Sequence, residues 1–571
     1  MSNLIKLLKP SKSLINGVPK CIRASQLSFL HSVSDASIEV CSKEQEVLIG
    51  FGSNLGDRLN NMEQALQLMN KSGINVTRHG CLYETGPANT SNQPKFLNSA
   101  VRGFTKLGPH ELLGVLKKIE RDLGRAEKYG PRPMDLDILF YGSYRVSSDN
   151  LTIPHERMWA RPFVMAPLID VLGYNVENDT VALWHSLSHS LSRFSSGLFE
   201  EWDKLGGESL IGKDGMIRRV LPVGNRLWDW SCGTSIMGIL NLAPDNFSDG
   251  GKFQSVENAI TQVRQMIAEG ADIIALGAQS TRPMATSISS EEELERLIPI
   301  LDAVKDMVEE EGKFLSVDTF YSKVASEAVK KGAHIVNDVS GGQLDPEMCN
   351  VIAGLKVPYI AMHTRGDPTT MRNSENLNYD DVCERVGSEL SSRVTGAESS
   401  GIPAWRIISD PGVGFSKNTK QNLEILMGLK RIRKEIGKSS LALANGPLLI
   451  GPSRKRFLAE ICDRPVATER DPVTVAAITA GILGGANIVR VHNVRDCRDA
   501  VMLCDAMLEK TGPSPYVQSV RGILFKDVPQ NMCLSNFLVN TMIQEERVRR
   551  HASQPDNHQR SRVQQLLAYR Y

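Results

Sequence analysis

Short apolar runs alternate with amphipathic helical stretches from residue 235 onward, roughly every 30–40 residues. The eight apolar runs, each typical of a buried strand, are residues 236–242, 272–276, 314–317, 334–339, 359–363, 407–410, 448–451 and 488–491. Helical patterns separate them, for example at residues 256–268, 291–308, 323–331 and 419–436. Eight strand-then-helix units predict a (β/α)8 TIM barrel. A doubly wound open sheet is the alternative, but no Gly-x-Gly-x-x-Gly follows the first run.

Residues 46–205 show a different pattern, in which strands and helices alternate without the regular repeat. Residues 47–51 are typical of a buried strand, and residues 53–57 of a turn that leads into a helix around residues 61–70. Further strands are predicted at residues 76–83, 98–104 and 135–141, and a helix at residues 110–123. This pattern predicts a compact α+β or α/β domain in front of the barrel.

Two segments fit neither domain. Residues 206–230 contain Gly206-Gly207, Lys213-Asp214-Gly215 and Pro222, which interrupt any periodicity. They indicate a linker or an extra hairpin, and we assign a linker. Residues 513–571 are basic and polar, and we predict that most of this tail is disordered.

The N-terminal segment has the composition of a targeting sequence. Residues 1–34 are rich in serine and carry five basic residues but no acid before Asp35. We therefore interpret residues 1–45 as an organellar transit peptide followed by a disordered arm. A disordered arm alone is the alternative. A secretory signal is excluded because no apolar stretch of useful length is present.

The overall composition indicates a soluble enzyme with several domains. The 571 residues are too many for one core, and the proportions of hydrophobic (41%) and charged (23%) residues are ordinary. A formal net charge of +1 argues against general nucleic-acid or membrane affinity. No apolar run reaches the ~18 residues of a membrane span. The 10 cysteines include no Cys-x-x-Cys pair, which suits reduced thiols in an intracellular compartment.

The most specific motif is Gly-Pro-Arg-Pro-Met-Asp-Leu-Asp-Ile at residues 130–138. Asp135 and Asp137 are two residues apart on a predicted strand, so both carboxylates lie on one face, where they suit Mg²⁺. Arg132 adds a fixed positive charge beside them, as a triphosphate requires. The alternative is an edge strand with two solvated carboxylates. Downstream, His155, Arg157 and Arg161 form a second cluster that can grip polyphosphate oxygens.

Polar residues also mark the ends of seven of the eight predicted barrel strands. They are Asn241, Asp318, Asn337, Asp338, His363, Arg365, Asp410, Ser453, Arg454, Lys455, Arg490 and His492. The carboxyl ends of barrel strands form the catalytic face. Singly, each residue is more often a strand cap, but capping explains the whole set poorly. Two acids and an Asn suit a nitrogen-rich heterocycle, and Asn241, Arg490 and His492 suit an anion.

Residues 46–205 resemble 6-hydroxymethyl-7,8-dihydropterin pyrophosphokinase. The matching stretches are Gly52-Ser53-Asn54-Leu55-Gly56, Tyr83-Glu84-Thr85, residues 93–98, 130–137 and 151–155. The resemblance implies a ferredoxin-like α/β fold and transfer of the terminal diphosphate of ATP to the pterin hydroxymethyl oxygen. It implies Mg²⁺ ligands Asp135 and Asp137, catalytic arginines Arg125 and Arg132, ATP-binding residues Glu120, His155, Arg157 and Arg161, and pterin-binding residues Thr85, Phe96, Asn98 and Tyr129. The segment 125–129 looks shorter than the mobile loop of some bacterial relatives.

Residues 231–512 resemble dihydropteroate synthase, which joins p-aminobenzoate to dihydropterin diphosphate. The matching motifs are residues 237–241 with 245–251, Ser280-Thr281-Arg282-Pro283, residues 316–319, 337–342, 410–415, Ser453-Arg454-Lys455 and Arg490-Val491-His492. The resemblance implies pterin-binding residues Asp318, Asn337, Met362, Asp410, Phe415 and Lys455, the last also catalytic. It implies diphosphate-binding residues Asn241, Thr281, Arg282, Arg490 and His492, with Asn241 also at Mg²⁺. Phe247 and Pro283 would flank the aminobenzoate, and Asp249 would steady a cationic intermediate.

Together the resemblances predict a bifunctional transferase of folate synthesis, a 2-amino-4-hydroxy-6-hydroxymethyldihydropteridine diphosphokinase fused to a dihydropteroate synthase. Its small-molecule substrates would be the dihydropterin, ATP and p-aminobenzoate, with Mg²⁺ as cofactor. Such a fusion with a presequence is familiar in plant mitochondria, so we predict the mitochondrial matrix, with chloroplast or cytosol as alternatives. Barrels of this family are usually dimers, which predicts a homo-oligomer; no nucleic-acid or membrane partner is expected.

Four positions of the barrel depart from the synthase pattern: Ala243, Asn246, Ala275 and Ala459. Ala275 occupies a strand position that usually carries Asp, so a carboxylate is missing near the predicted catalytic mouth. One alternative is therefore an active kinase with a weakened synthase barrel, retained for binding, oligomerisation or regulation. Another is a pterin methyl-transfer barrel. The kinase-like half and the Ser-Thr-Arg-Pro motif argue against the methyl-transfer alternative.

Overall fold

The computed structural model describes residues 32–33, 44–87, 93–126, 130–142, 144–171, 198–212, 217–243 and 255–510. Apart from residues 32–33, the predicted targeting segment 1–34 lies outside the described residues. So do the tail after residue 510, the site candidates Tyr129, Phe247 and Asp249, and Asn246. No helix within the described ranges is both long and apolar enough to cross a membrane.

The first half is built on an antiparallel sheet. The strands of this half, three of which form a small separate sheet, are β1 (Ser32–Val33), β2 (Gln45–Ser53), β3 (Ile74–His79), β4 (Leu82–Thr85), β5 (Phe96–Thr105), β6 (Asp135–Tyr141), β7 (Arg145–Ser147), β8 (Thr152–Ile153), β9 (Ile217–Val223) and β10 (Arg226–Trp228). The main sheet has the order β10-β9-β4-β5-β2-β6, and β3 also pairs with β5. The helices are α1 (Arg58–Lys71), α2 (Pro109–Asp122), α3 (Pro162–Asp170) and α4 (Leu198–Lys204).

Both faces of this sheet are buried, which explains the continuous apolar run in β2. Val47, Ile49 and Phe51 face α1 and α2, where they pack with side chains such as Met62 and Leu116. The intervening Leu48 belongs to the opposite core, which includes α3. Helices thus cover both faces of the sheet. The residues predicted for the first active site lie at one end of its central strands.

The single strand predicted at residues 76–83 is wrong in detail, because two strands occupy this region. β3 ends at His79 and β4 begins at Leu82, with Gly80 between them. A Cβ at Gly80 would lie 2.7 Å from the backbone oxygen of Pro167 in α3. The break therefore lets α3 approach the sheet closely, a contact that the local pattern of apolar residues does not encode.

The linker assigned to residues 206–230 also needs correction, because β9 and β10 form an antiparallel hairpin there. β9 extends the main sheet by pairing with β4. Its Leu221 and Val223 pack, with Trp230, against the first residues of several barrel strands, such as Ile273 and Ile335. The hairpin thus completes the edge of the first sheet and closes the amino end of the barrel.

The second half is a parallel barrel, as predicted. Its strands are β11 (Ser235–Asn241), β12 (Ile273–Gly277), β13 (Phe314–Asp318), β14 (Ile335–Asp338), β15 (Tyr359–Met362), β16 (Ile407–Asp410), β17 (Leu449–Ile450) and β18 (Ile488–Val491). Neighbouring strands pair in the order β16-β15-β14-β13-β12-β11-β18-β17. A parallel bridge between Ser409 and Leu448 closes the ring. All eight predicted strands are present, with ends shifted by at most one residue.

The barrel helices are α5 (Val256–Ala268), α6 (Ser290–Glu310), α7 (Ser322–Lys330), α8 (Met348–Leu355), α9 (Val382–Ser399), α10 (Thr419–Met427), α11 (Leu429–Gly437), α12 (Leu441–Asn445), α13 (Arg456–Cys462), α14 (Asp471–Leu483) and α15 (Val494–Lys510). The helix predicted at residues 419–436 is two helices, α10 and α11, separated at Gly428. A Cβ at Gly428 would lie 2.2 Å from Cys383 Sγ of α9. Close packing against α9 therefore requires a glycine, and the helix breaks there.

Buried polar contacts join the two halves. Asp170 at the end of α3 accepts hydrogen bonds from the Tyr83 hydroxyl (2.5 Å) and from Asn445 Nδ2 of α12 (3.1 Å). Glu398 of α9 accepts one from the backbone N–H of His79 (2.6 Å). Buried polar groups are expensive to leave unpaired, so these contacts favour one relative placement of sheet and barrel.

Candidate active sites

The two aspartates of the Asp-x-Asp motif lie on β6, opposite Gly52 and Gly50 of β2. Asp135 is held by two arginines: its Oδ1 is 2.6 Å from Arg125 Nη1 and its Oδ2 is 2.9 Å from Arg132 Nη2. Burial raises the pKa of Asp135, but the positive charges of Arg132 and Arg125 outweigh it and leave the pKa below its ordinary value. The carboxylate is therefore ionised at neutral pH, with an arginine on each of its oxygens.

Glu120 orients Arg125. Glu120 Oε2 is 2.8 Å from Arg125 Nη1, and Oε1 accepts hydrogen bonds from the backbone N–H of Leu136 (2.8 Å) and from Lys117 Nζ (2.6 Å). Both carboxyl oxygens thus have partners within the protein. The assignment of Glu120 to ATP, which the resemblance implies, stays a prediction; the contacts show in addition that its carboxylate holds Arg125 beside Asp135.

A cavity of about 290 Å³ opens beside the motif. The candidates that line it are Thr85, Phe96, Asn98, Arg132, Asp135, Asp137 and Arg161. Asn98 Nδ2 donates to Thr85 Oγ1 at 2.8 Å, which fixes the amide. A Cβ at Gly52 would lie 2.5 Å from Asn98 Oδ1, so glycine is required for this approach. The Arg132 guanidinium lies 5.4 Å from the centroid of the Phe96 ring. The cavity therefore has an aromatic wall next to a charged one.

The predicted polyphosphate cluster lies at the charged wall. His155 Nε2 is 3.9 Å from Asp137 Oδ2. Burial, together with Arg161 and Arg157, lowers the pKa of His155 despite the carboxylate of Asp137. Burial and Arg157 likewise lower the pKa of Arg161. Arg161 lines the cavity, whereas Glu120, Arg125, His155 and Arg157 are outside its lining. The positively charged groups at this wall of the cavity are suited to binding a polyanion.

Three residues of this site were not assigned from the sequence: Asn54, Gln93 and Phe163. The buried Asn54 accepts from the backbone N–H of Arg132 (2.8 Å) and donates to the carbonyl of Pro94 (3.3 Å). It thereby ties the arginine to the loop that carries Phe96. Gln93 and Phe163 line the cavity. The motifs around Asn54 and Gln93 were noted, but their roles depend on contacts distant in sequence.

The second candidate site is a small cavity, about 70 Å³, at the carboxyl ends of the barrel strands. Ten candidates line it: Asn241, Thr281, Asp318, Asn337, Met362, Asp410, Phe415, Lys455, Arg490 and His492. Arg282 and Pro283 are exposed in the loop that follows β12 and are outside the lining of the cavity. The cavity thus brings together residues from all eight strands or the loops that follow them.

Asp318 links two of these groups. Its Oδ1 accepts from Asn337 Nδ2 at 2.8 Å, and its Oδ2 pairs with Arg490 Nη2. Gly277, opposite Asp318 in the register, leaves the space into which the carboxylate extends. Asn337 Oδ1 is buried and lacks a hydrogen-bond partner among the described residues. An unpaired buried acceptor is suited to an N–H donor of a ligand.

Asp410 is buried, Lys455 is half-buried, and both have shifted pKa values. Burial raises the pKa of Asp410 to about 6, although the Gly412 N–H and nearby cations oppose this. Burial and Arg490 lower the pKa of Lys455 to about 7. Lys455 Nζ lies 4.0 Å from the centroid of the Phe415 ring. An aromatic ring, a buried acid and a half-buried amine on one wall suit a flat heterocycle with polar edges.

His492 is neutral in this structure. Its Nδ1 lies 2.9 Å from Ser453 Oγ, and its Nε2 lies 3.5 Å from Asn241 Nδ2. Burial, followed by Arg454 and Arg490, lowers the pKa of His492 well below its ordinary value. The imidazole therefore acts as a hydrogen-bonding group at the anion side of the cavity, while Arg490 supplies the charge.

Ala275 is completely buried and lies in an apolar layer with Met237 and Ile273. Its register neighbours are Ile239 and Ser316. The Ser316 hydroxyl is buried and lacks a hydrogen-bond partner in the described part of the chain. Gln279, which sequence reasoning missed, lines the cavity above this layer, and its Oε1 accepts from the Ile288 N–H at 2.8 Å. The effect of the missing carboxylate on rate stays a prediction.

Comparison with known proteins supports the assignment of both halves of the chain. Residues 48–173 match the 7,8-dihydro-6-hydroxymethylpterin-pyrophosphokinase family, and residues 237–492 match the pterin binding enzyme family. The mitochondrial folate synthesis bifunctional protein of Pisum sativum is 63% identical over 494 residues, which cover 86% of this chain and 95% of that protein. The chain belongs to the family of bifunctional folate synthesis proteins.

Other members of the family give the same assignment. A folate synthesis bifunctional protein of Arabidopsis thaliana, whose name specifies no compartment, is 61% identical over 471 residues, covering 82% of this chain and 96% of that protein. The crystal structure of Plasmodium falciparum HPPK-DHPS with pteroate has a TM-score of 0.61 and 20% identity, covering 81% of this chain and 98% of that one. At this identity the likeness shows the fold alone. As a bifunctional folate synthesis enzyme, the chain combines pyrophosphokinase and dihydropteroate synthase halves.

Proposed function

We propose that the two cavities are the active sites of consecutive steps. In the first, the terminal diphosphate of ATP moves to the hydroxymethyl oxygen of the dihydropterin. In the second, that product condenses with p-aminobenzoate and diphosphate leaves. The observation that carries the proposal is the convergence of ten candidate residues on the barrel-mouth cavity. Residues far apart in sequence rarely form such a mixed acidic, basic and aromatic wall without a ligand.

In the first site, Thr85, Phe96 and Asn98, with Tyr129, would bind the pterin, and His155, Arg157 and Arg161 would bind ATP. Asp135 and Asp137 fit Mg²⁺, because hard carboxylate oxygens on one face of a strand leave its other positions to phosphates and water. Bound Mg²⁺ would neutralise phosphate charge. Arg125 and Arg132, now paired with Asp135, would supply positive charge to the group in transfer.

In the second site, Asp318, Asn337, Asp410 and Lys455 would hold the polar edges of the pterin between Met362 and Phe415. Asn241, Thr281, Arg282, Arg490 and His492 would hold the diphosphate, with Mg²⁺ at Asn241. Phe247 and Pro283 would flank p-aminobenzoate, and Asp249 would steady the cation that forms as the C–O bond ionises. Charge stabilisation would therefore be the main catalytic contribution.

Removal of divalent metal tests the first site directly. With excess chelator, diphosphate transfer should fall at least about 100-fold, because ATP phosphates lose their counter-charge. Added Mg²⁺ should restore the activity. Transfer is measured as AMP release with the dihydropterin present. Undiminished transfer in metal-free buffer would contradict the assignment of Asp135 and Asp137 as metal ligands.

A second candidate is an active kinase half with a weakened synthase half. It is favoured by Ala275 itself, a completely buried side chain at a strand position where the synthase pattern usually carries Asp. Steady-state assays of both half-reactions on the purified chain distinguish the candidates. A synthase turnover within tenfold of the kinase turnover would exclude the weakened barrel.

We propose that residues 1–34 direct the protein to the mitochondrial matrix, consistent with the name of the Pisum sativum relative. A fusion of residues 1–34 to a fluorescent reporter should enter mitochondria, because import favours basic segments without acidic residues. Glutamate at Lys6, Lys9 and Lys12 should leave the reporter in the cytosol. Chloroplast or cytosolic fluorescence of the unmodified fusion would contradict the proposal.

We propose that the barrel forms a homodimer through exposed apolar side chains on four helices that contact one another. These side chains are Leu423 and Met427 of α10, Ile461 of α13, Leu483 of α14, and Met502, Leu503 and Met507 of α15. Several large apolar side chains exposed on neighbouring helices are typical of an interface. The double variant Met502→Glu/Leu503→Glu should sediment as a monomer, and Lys330→Glu on α7 is the control. Identical sedimentation of all three proteins would exclude this surface.

A further inference from the structure

Lys417, at the end of the loop that follows β16, is completely buried. The same loop begins at Asp410 and includes Phe415, two of the proposed pterin-binding residues. Lys417 itself is outside the lining of the barrel-mouth cavity. A buried lysine far from solvent requires full hydrogen bonding, since an unpaired charge in the interior is strongly unfavourable. The hydrogen bonds of its ammonium group therefore indicate the role of Lys417.

The ammonium of Lys417 has three acceptors, one for each of its N–H donors. Nζ donates to the carbonyl of Phe415 at 2.9 Å and to the carbonyl of Gly412 at 3.1 Å. The third contact is His363 Nδ1, also at 3.1 Å. A neutral amine has only two N–H donors and would leave one of these three acceptors without a partner. The geometry is therefore that of the charged form.

The far side of His363 determines its tautomer. His363 Nε2 lies 3.0 Å from Glu389 Oε2, so Nε2 carries the proton and Nδ1 is free to accept from Lys417. Glu389 in turn pairs with Arg365 at 2.5 Å. Burial lowers the pKa of His363 to about 3, which keeps the ring neutral. The contacts thus form a continuous chain from Lys417 to the partly exposed Glu389 on α9.

The loop backbone packs closely against the neighbouring strand end at this point. A Cβ at Gly412 would lie 1.9 Å from the carbonyl oxygen of His363. The Gly412 N–H donates to Asp410 Oδ1 at 2.7 Å. Directly after Lys417, Asn418 and Gln421 form a capping box that starts α10. The loop is therefore held at both ends, and Lys417 bonds its middle.

We propose that Lys417 is a positioning residue for the synthase reaction. It holds the backbone of Gly412 and Phe415 and supplies the buried positive charge that keeps Asp410 ionised for the N–H donors of the pterin edge. This inference rests on the proposed role of Asp410 in pterin binding. It adds a residue that touches neither substrate.

The electrostatic consequence has a definite sign. Burial raises the pKa of Asp410 to about 6, and Lys417, Lys455 and Arg490 oppose the rise. Removing Lys417 therefore raises the Asp410 pKa further, so the carboxylate is protonated at higher pH. Burial lowers the pKa of Lys417 to about 7, Asp410 and Glu389 raise it, and Arg393 and Arg365 lower it. Loss of Glu389 thus lets Lys417 deprotonate at lower pH.

The test is the pH profile of synthase kcat/KM for supplied dihydropterin diphosphate, from pH 6 to 9. Lys417→Met and Lys417→Gln should each lose about 10- to 100-fold at pH 7, mainly through KM. Their acid limb should move to higher pH, so the deficit shrinks towards pH 9. The exposed Lys420→Met is the matched control and should keep the original profile. A loss that is equal at every pH, or no loss, would overturn the inference.

Glu389→Gln keeps the test decisive if neither Lys417 variant folds, as judged by thermal unfolding. Glu389 lies on the surface side of the chain of contacts, and its loss should move the alkaline limb of kcat/KM to lower pH. An unchanged alkaline limb would overturn the inference. Asp410→Asn tests the pterin-binding role of Asp410 separately from the positioning role of Lys417. If it leaves KM unchanged, the pterin role of Asp410 is wrong. If it raises KM while the Lys417 variants behave as the unmodified chain, only the role of Lys417 is wrong.

Discussion

Asp137→Ala should abolish diphosphate transfer, by at least about 1000-fold, while synthase activity on supplied dihydropterin diphosphate is retained. A 1000-fold loss corresponds to about 4 kcal/mol of transition-state stabilisation. Asp137 lines the first cavity, and its carboxylate has the longest of the three ion-pair distances of the two aspartates, 3.9 Å to His155. It is therefore the carboxylate more available to Mg²⁺, and without it the metal–ATP complex loses a ligand.

Asp135→Ala should have an effect of similar size for an additional reason. It releases Arg125 and Arg132 from the carboxylate that now holds both guanidinium groups. AMP release measures the first step, and dihydropteroate formation measures the second. Asp149→Ala, in an exposed loop of the same half, is the control. Loss of synthase activity in a folded Asp137→Ala protein would show that the two sites are not independent.

Lys455→Ala should weaken pterin binding in the barrel by roughly 30-fold or more, about 2 kcal/mol, because Asp410 loses a nearby counter-charge. Arg490→Ala should mainly weaken binding of the diphosphate. Arg490 also forms an ion pair with Asp318, a proposed pterin-binding residue. We therefore expect a smaller loss of pterin affinity in Arg490→Ala as well.

Competition in the synthase assay separates these effects, because it reports only on the barrel site and not on the pterin site of the kinase half. The Ki of a phosphate-free pterin should rise more in Lys455→Ala than in Arg490→Ala. The Ki of inorganic diphosphate should rise more in Arg490→Ala. The assignment of the two walls of the cavity fails if both variants change both constants by the same factor.

Much of the barrel could be predicted from the sequence, because parallel strands buried on both sides are continuous apolar runs. Asp318, Asp410 and Arg490 each stand at or near the end of such a run, and the barrel topology brings those ends together. The site was therefore predictable as a set of strand ends. Glu120 is different: its assignment came from resemblance, and only its contacts with Arg125 and Leu136 show that it is a partner of protein groups.

The hydrophobic pattern and the motifs by themselves determined the (β/α)8 barrel, the Asp-x-Asp strand and the family. These features are local, since each depends on residues within one strand or loop. Tertiary structure alone decided the breaks at Gly80 and Gly428, the hairpin of β9 and β10, and the buried charge of Lys417. Each of these depends on a neighbour distant in sequence: a helix backbone, a cysteine of another helix, an open barrel end, or an imidazole on the adjacent strand end. Such contacts follow from packing and charge compensation in three dimensions, which one-dimensional periodicity does not record.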